Sequence, residues 1–191
     1  MDRVVPRFIF AGRLSRDYIL MPSCEARLDV PGGNVLYAAA GLGVWEPDPR
    51  PGIVARVGED YPREWLERFE QWGIDTRGVR ILPEAVDVRW FCAYSDLSNP
   101  IFDDPVAHFA RCQLSFPKAL LGYRNPSSHL DSRTQLTPVS LRQADFPPDF
   151  LDGSAAHLCP LDLLTHQVVP AVLRQAEITT VTLDPSPGYM N

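Results

Sequence analysis

The sequence predicts an α/β fold, a mainly parallel sheet flanked by helices, together with a small separate β flap. Two observations carry this. Short apolar runs closed by Gly or Asp alternate with helical segments, the pattern of a parallel sheet covered on both faces. Other strand-like segments mix polar and apolar residues in alternation, which suits a sheet with one wet face. A length of 191 residues with 45% apolar composition is enough for one domain and its core.

In chain order, Phe8-Ile-Phe-Ala-Gly12 reads as a buried strand. Residues 18–21 and 25–30 are shorter strand candidates, the second partly alternating. Pro31-Gly32-Gly33-Asn34 breaks the chain, and residues 35–45 form an Ala-rich helix with Asn34 as its expected N-cap. That helix is apolar nearly all round, so burial between other elements is expected. Gly41 and Gly43 weaken it or admit a close neighbour. Pro47, Pro49 and Pro51 force a loop. Ile53–Val57 is the next core strand, closed by Gly58-Glu59-Asp60, with Asp60 expected to cap the following helix.

The helix at 62–72 places Trp65, Leu66, Phe69 and Trp72 on one stripe and ends at Gly73. A short strand at 79–82 follows. From Val86 to Tyr94 the chain alternates, with Val88, Trp90, Cys92 and Tyr94 on one face. Prolines, serines and charges interrupt every period between 97 and 150. Such a stretch in a compact domain implies structure that periodicity does not show. Residues 155–159 read as a buried strand, 165–177 as a helix kinked or started at Pro170, and 179–183 as a β-branched strand ending at Asp184-Pro185. One parallel sheet is expected from 8–12, 53–57, 155–159 and 179–183. Flap strands are expected at about 18–30 and 79–95.

The net charge of −6 excludes a surface built for nucleic acid or anionic membrane. No apolar run is long enough to span a bilayer, and the first residues lack a signal-peptide core. A cytoplasmic location is the expectation. Cys24, Cys92, Cys112 and Cys159 form no Cys-x-x-Cys pair, so four buried free thiols in a reducing compartment are expected and no metal site. Gly41-Leu-Gly43 is not a dinucleotide fingerprint, since it lies within a helix and Glu46 holds the third glycine position. His108, His129, His157 and His166 are scattered and carry no assigned chemistry.

Ligands of open α/β sheets bind beyond the carboxyl ends of the strands. Asp17, Gly32, Gly33 and Asn34 fall there, and they are the candidate substrate-binding residues. A carboxylate accepts hydrogen bonds from two neighbouring hydroxyls. Glycines let a hydroxyl-rich ligand approach the backbone and a helix start. Each feature alone is more commonly a solvated turn; together they fit a sugar or another polyol.

These residues resemble the PfkB (ribokinase-like) family of carbohydrate kinases. The opening strand ends in Gly12 with Asp17 five residues later. The Gly32-Gly33 turn leads into the helix through Leu42-Gly43. Val57-Gly58-Glu59-Asp60, a helix, then Gly73-Ile74-Asp75-Thr76 forms the most specific block. The resemblance covers residues 8–95 well and 155–187 loosely. It implies a three-layer ribokinase-like α/β domain with a β lid, C-terminally incomplete, and substrate hydroxyls bound at Asp17 and Gly32-Gly33. It also implies ATP and Mg2+, a small sugar or polyol as acceptor, and an apolar lid face able to mediate a homodimer.

Two departures stand out. Tyr37 occupies the position, five residues after Gly32, where the family usually carries Asn. The family's Gly-Ala-Gly-Asp segment, which supplies the anion hole and general base, is not among these residues. The first expectation is therefore the substrate-side half of a sugar kinase, with no catalytic residue assigned. The alternatives are a truncated, non-catalytic relative that binds a polyol or a protein partner, and an unrelated α/β binding domain.

Overall fold

The computed structural model describes residues 5–46, 50–96, 98–126 and 134–190. Of the features named above, Pro47, Pro49 and His129 lie outside them. In chain order the strands are β1 (Phe8–Ala11), β2 (Ser15–Leu20), β3 (Ala26–Gly32), β4 (Gly52–Val57), β5 (Asp75–Ile81), β6 (Arg89–Tyr94), β7 (Pro100–Ile101), β8 (Ala155–Leu158) and β9 (Thr180–Leu183). The helices are α1 (Asn34–Trp45), α2 (Arg63–Gln71), α3 (Pro105–Arg111), α4 (Leu163–Arg174) and the short α5 (Pro187–Met190).

A five-stranded sheet runs in the order β5-β4-β1-β8-β9, with every neighbouring pair parallel. It is the middle of three layers. Every residue of β4 is buried because both of its faces are covered. Ile53, Ala55 and Val57 pack with Val35, Leu36 and Ala39 of α1 and Trp65 and Phe69 of α2. Val54 turns the other way, with Ile9, Ala11, Ala156 and Leu158, toward Phe150, Phe146, Leu141 and the α4 residues Val169 and Leu173. Burial of this kind contributes about 25 cal/mol per Å² of apolar surface and is the main force holding the layers.

A second, four-stranded sheet has the order β3-β2-β6-β7. Its β2–β3 and β6–β7 pairs are antiparallel, whereas β2 and β6 run parallel. One face carries Tyr18, Leu20, Phe91 and Ala93, which close on Phe109 of α3 and on Leu120.

Several expectations need correction. The strand at 79–82 is part of β5 and belongs to the five-stranded sheet, not to the flap, because it hydrogen-bonds β4. The strand from Val86 begins at Arg89. Gly33 is the N-cap of α1, and Asn34 is its first helical residue. Pro62 precedes α2 as its N-cap, and the Asp60 carboxylate instead accepts from the Val86 amide at 3.1 Å. Pro170 lies inside α4, which starts at Leu163 behind an Asp162 cap that accepts from the Thr165 amide at 2.9 Å.

The cysteines differ too. Cys24 and Cys112, 88 residues apart, are joined by a disulfide, and only Cys92 and Cys159 are free. The bond ties the β2–β3 turn to the end of α3. Such bonds persist in oxidising compartments and in hyperthermophile cytosol, so the expected set of four free thiols does not hold. No helix among the described residues is long and apolar enough to cross a membrane.

Helix α1 is covered on one side only. Val35, Leu36 and Ala39 are buried, while Val44 is 79% and Trp45 87% exposed. Nothing lies within 4 Å of a Cβ added at Gly41 or Gly43. Replacing either by Ala should therefore stabilise the fold by about 0.5–1 kcal/mol, read as a raised urea midpoint. Loss of stability would place an unseen neighbour on that face. Phe150 is fully buried against Gly52 and Gly78, so Phe150→Ala should cost about 3–5 kcal/mol in the same measurement.

Candidate functional site

Where the carboxyl end of β1 meets the start of α1 and the inner face of the second sheet, a cavity of about 310 Å³ opens. Its wall includes Leu14, Ser15, Asp17, Gly33, Asn34 and Tyr37 from the first 37 residues, and Val88 and Trp90 from β6 and the residues before it. Pro126 and Val139 close the far side.

The strand period explains who faces it. Ser15 and Asp17 are two apart on β2, so they share one face, while Tyr18 and Leu20 include the residues turned to the apolar cluster. On the neighbouring strand, Asp17 is registered beside Trp90 and Tyr18 beside Phe91. The sheet thus divides its side chains, with Asp17 and Trp90 toward the cavity and Tyr18 and Phe91 toward α3. Asp17 lies within β2 rather than in a turn after the first strand, as the sequence pattern suggests.

Asp17 is 4% exposed, and two hydroxyls bond its carboxylate. Ser15 Oγ donates to its Oδ1 at 2.5 Å, and Tyr37 Oη donates to its Oδ2 at 2.9 Å. Burial raises its pKa above the usual aspartate value, and these two hydrogen bonds pull it back only in part. Burial, then the charge of Asp17, also raises the Tyr37 phenol, so it stays a donor. Two donors leave a carboxylate with unused lone pairs, which is the chemistry needed to receive ligand hydroxyls.

Gly32 makes this arrangement sterically possible. A Cβ there would lie 1.9 Å from Asp17 Oδ2, so any side chain would evict the carboxylate. Gly33 has φ +107°, and a Cβ would sit 2.2 Å from the Arg13 carbonyl oxygen. Gly33 lines the cavity; Gly32 supports Asp17 from behind. Asn34 lines the cavity as well, but both ends of its amide are engaged. Its Oδ1 accepts from the Arg13 amide and its Nδ2 donates to the Pro160 carbonyl, each at 2.7 Å.

Ser15, Tyr37, Val88 and Trp90 are the site residues that sequence reasoning left unassigned. The signals were present: Ser15-x-Asp17 has the strand period, and Val88 and Trp90 fall on one face of an alternating run. Arg89, also at the cavity, bonds the Asp87 carboxylate and the carbonyls of Ala119 and Leu121. Among the described residues no three His, Cys, Asp or Glu side chains converge as a metal-ligand set.

No family model matches the chain. A cytidine kinase of Thermococcus kodakarensis is 33% identical over 78 residues, which is 39% of this chain and 26% of that protein. A nucleoside kinase of Burkholderia thailandensis, solved with inosine, superposes with a TM-score of 0.58 at 16% identity, over 92% of this chain and 51% of the other. A PfkB protein from Polaromonas sp. JS666 gives 0.54 at 17% identity, over 93% and 54%. A sugar kinase of Pyrococcus horikoshii in complex with ATP gives 0.55 at 17% identity, over 93% and 52%. The fold is thus the ribokinase-like α/β fold of PfkB-type kinases, as the sequence motifs imply. The chain spans about half the length of these solved structures.

A carboxylate whose pKa is raised on folding costs stability once it ionises. Between the ordinary aspartate range near pH 4 and the folded-state pKa, the native state holds the extra proton, so stability falls as pH rises. Asp17→Asn removes that loss. The variant should unfold at higher denaturant than the parent at pH 7, converge with it at pH 3, and bind hydroxyl ligands at least ~10-fold more weakly. Equal stability of the two proteins at pH 7 would mean that the carboxylate is solvated.

Proposed function

We propose that this chain forms the acceptor-binding part of a PfkB-type kinase, which transfers the γ-phosphoryl group of ATP to a hydroxyl of a sugar or related polyol. The observation that carries this reading is the buried Asp17 carboxylate. It is supported from behind by Gly32, bonded by Ser15 and Tyr37, and set on the inner face of the second sheet, toward the mouth of the parallel sheet. A polar group this costly to bury is retained at binding sites far more readily than in a structural core.

In this reading Asp17 accepts hydrogen bonds from acceptor hydroxyls and fixes the sugar ring. Gly33 lets the ring approach the backbone at the start of α1, and the second sheet is the lid that shields the cavity from water. Phosphoryl transfer depends on positioning and on stabilising charge around the phosphate. Positioning of the acceptor falls to these residues. ATP supplies the phosphoryl group, and a sugar kinase of this fold has been solved with it. The residues described here offer no ligand set for magnesium, and no step is assigned to it.

The edge strand β9 supports the same reading. All four of its residues are exposed, Val181 and Leu183 among them, although the strand continues a parallel sheet. Exposed apolar edges in such sheets are usually covered. A second reading is a non-catalytic polyol-binding protein that uses the same cavity.

Incubated with ATP and a panel of sugars and nucleosides, the 191-residue chain should bind an acceptor without turning it over at an enzyme-like rate. A missing general base alone removes roughly 10²–10⁴-fold in rate. Robust turnover that is lost in Asp17→Ala would overturn this division of labour. Absence of any acceptor binding would overturn the site. Reading the coding sequence past Asn191 separates the two functions: a Gly-Ala-Gly-Asp segment there favours the kinase, and a stop codon favours the binder.

A further inference from the structure

The second sheet is held by less than the first. Its apolar cluster has half as many buried residues as either cluster of the five-stranded sheet, among the described residues. Regions with few buried apolar contacts open at a lower free energy than the rest of a fold. Helix α3, which covers this cluster, has seven residues and is too short to be stable by itself. The disulfide lies here. It joins Cys24, at the tip of the β2–β3 hairpin, to Cys112, the C-cap of α3.

The hairpin is irregular beside the candidate site. Asp17 pairs with Val30 but Ile19 with Arg27, so β3 carries an extra residue between the two pairs. Cys24 at φ +63° and Asp29 at φ +53° take the left-handed conformation that side chains disfavour. A slip of one residue in such a pair turns its side chains to the other face of the sheet. Here it would take Gly32 from beneath Asp17, where only a glycine leaves the carboxylate in place. Arg16 and Asp29 bond each other across the hairpin at 2.7 Å, but a partly exposed ion pair adds little. Fixing the tip fixes the turn, and with it the register.

The bond is also within reach of a reductant. Cys24 and Cys112 are half-buried and flanked by exposed Ser23, Glu25, Arg111 and Gln113, whereas Cys92 and Cys159 are buried. A thiolate of a dithiol reductant attacks one sulfur of the bond and forms a mixed disulfide. The reductant's second thiol then displaces the protein. Cys24 and Cys112 end as two thiols and the reductant as a disulfide, with two electrons and two protons passed to the protein.

We infer that the Cys24–Cys112 bond is a redox-operated latch on the second sheet. Closed, it holds the β2–β3 hairpin in the register that keeps Asp17 on Gly32. Opened by a dithiol, it releases the hairpin tip from α3 and weakens the cavity's hold on a hydroxyl ligand, while the five-stranded sheet stays folded. The effect on affinity rests on the acceptor-site reading above; the release of the hairpin does not.

The test compares the 191-residue chain oxidised with glutathione disulfide and reduced with dithiothreitol. Thiol titration of the oxidised protein in denaturant should find only Cys92 and Cys159. Hydrogen exchange followed by mass spectrometry should show β2 and β3 exchanging at least ~10-fold faster after reduction, with β4 unchanged and the protection restored on reoxidation. Titration calorimetry with ribose and with adenosine should show whichever of them binds held at least ~10-fold more weakly by the reduced form. Cys24→Ser combined with Cys112→Ser should match the reduced form and ignore dithiothreitol, and Cys92→Ser should still respond to it. Four thiols in the oxidised protein, or β2 and β3 exchange that reduction leaves unchanged, overturns the latch. Exchange rising equally in β4 overturns it too, since the bond would then staple the whole fold. Equal affinity in both forms likewise overturns it and leaves the acceptor site standing. Binding of neither ligand by either form overturns the acceptor site, and the exchange of β2 and β3 still decides the latch. Reduction of the folded parent keeps the test valid even where the double variant does not fold.

Discussion

The corner built by Asn34 is the contact on which the rest of the site depends. Its carboxamide accepts from the amide of Arg13, just after β1, and donates to the carbonyl of Pro160, just after β8. Three chain segments, two of them 126 residues apart, are pinned by one side chain at the carboxyl edge of the sheet. Both partners are backbone groups freed where strands end, and leaving either unpaired in a partly buried place would be costly. The bond also sets where α1 begins. Gly33, at φ +107°, turns the chain from β3 into the helix against the Arg13 carbonyl, and Gly32 just before it has no side chain to displace Asp17. Position of the carboxylate, entry of the helix and closure of the β1–β8 edge therefore share one cause.

The parallel sheet was legible in the sequence because β4 is buried along its whole length, and a run as apolar as Ile53–Val57, broken only by Arg56, has few other uses in a domain of this size. Helix α2 was legible from its stripe and from Gly73, whose φ of +83° is the left-handed turn expected after a helix. Failures came where local signals compete with tertiary ones. The pattern around Val79 is that of a half-exposed strand, yet β5 is the edge of the main sheet, and an edge is half-exposed for a different reason. Residues 97–150 gave no period because the order of the described ones lies in a two-residue strand, a seven-residue helix and short 3-10 turns, held by single buried anchors such as Phe109, Leu120 and Phe150. A one-residue anchor has no periodicity to read. The Cys24–Cys112 bond joins cysteines 88 residues apart, only the second of them in that stretch, so no spacing rule could have indicated it.

The candidate site was only half visible. Asp17, Gly33 and Asn34 do come together around one cavity, and Gly32 lies directly beneath Asp17. The role of Asn34 differs from a ligand contact, because its amide is occupied by the protein. Tyr37 was visible as a departure from a motif and not as a hydrogen-bond donor. Its relation to Asp17 follows from the angle at which α1 leaves Gly33, and that angle is a tertiary property. The apolar wall at Val88 and Trp90 needed the register of β6 against β2, which alternation alone does not supply.

That register raises the question of why a parallel pair sits within an otherwise antiparallel sheet. Parallel strands need a long connection, and here it is supplied by α1, β4, α2 and β5, the whole first half of the core. The second sheet is therefore not an independent hairpin that could swing freely. Its two central strands emerge from opposite ends of the core segment, and its outer face is sealed by Phe91, Phe109 and Leu120, with Cys24–Cys112 bracing the margin. A sheet so braced holds its inner face at a fixed distance from the Gly33 turn. Selection at the cavity then depends on which side chains β2 and β6 present there. In this chain they present one buried carboxylate and one indole, side by side.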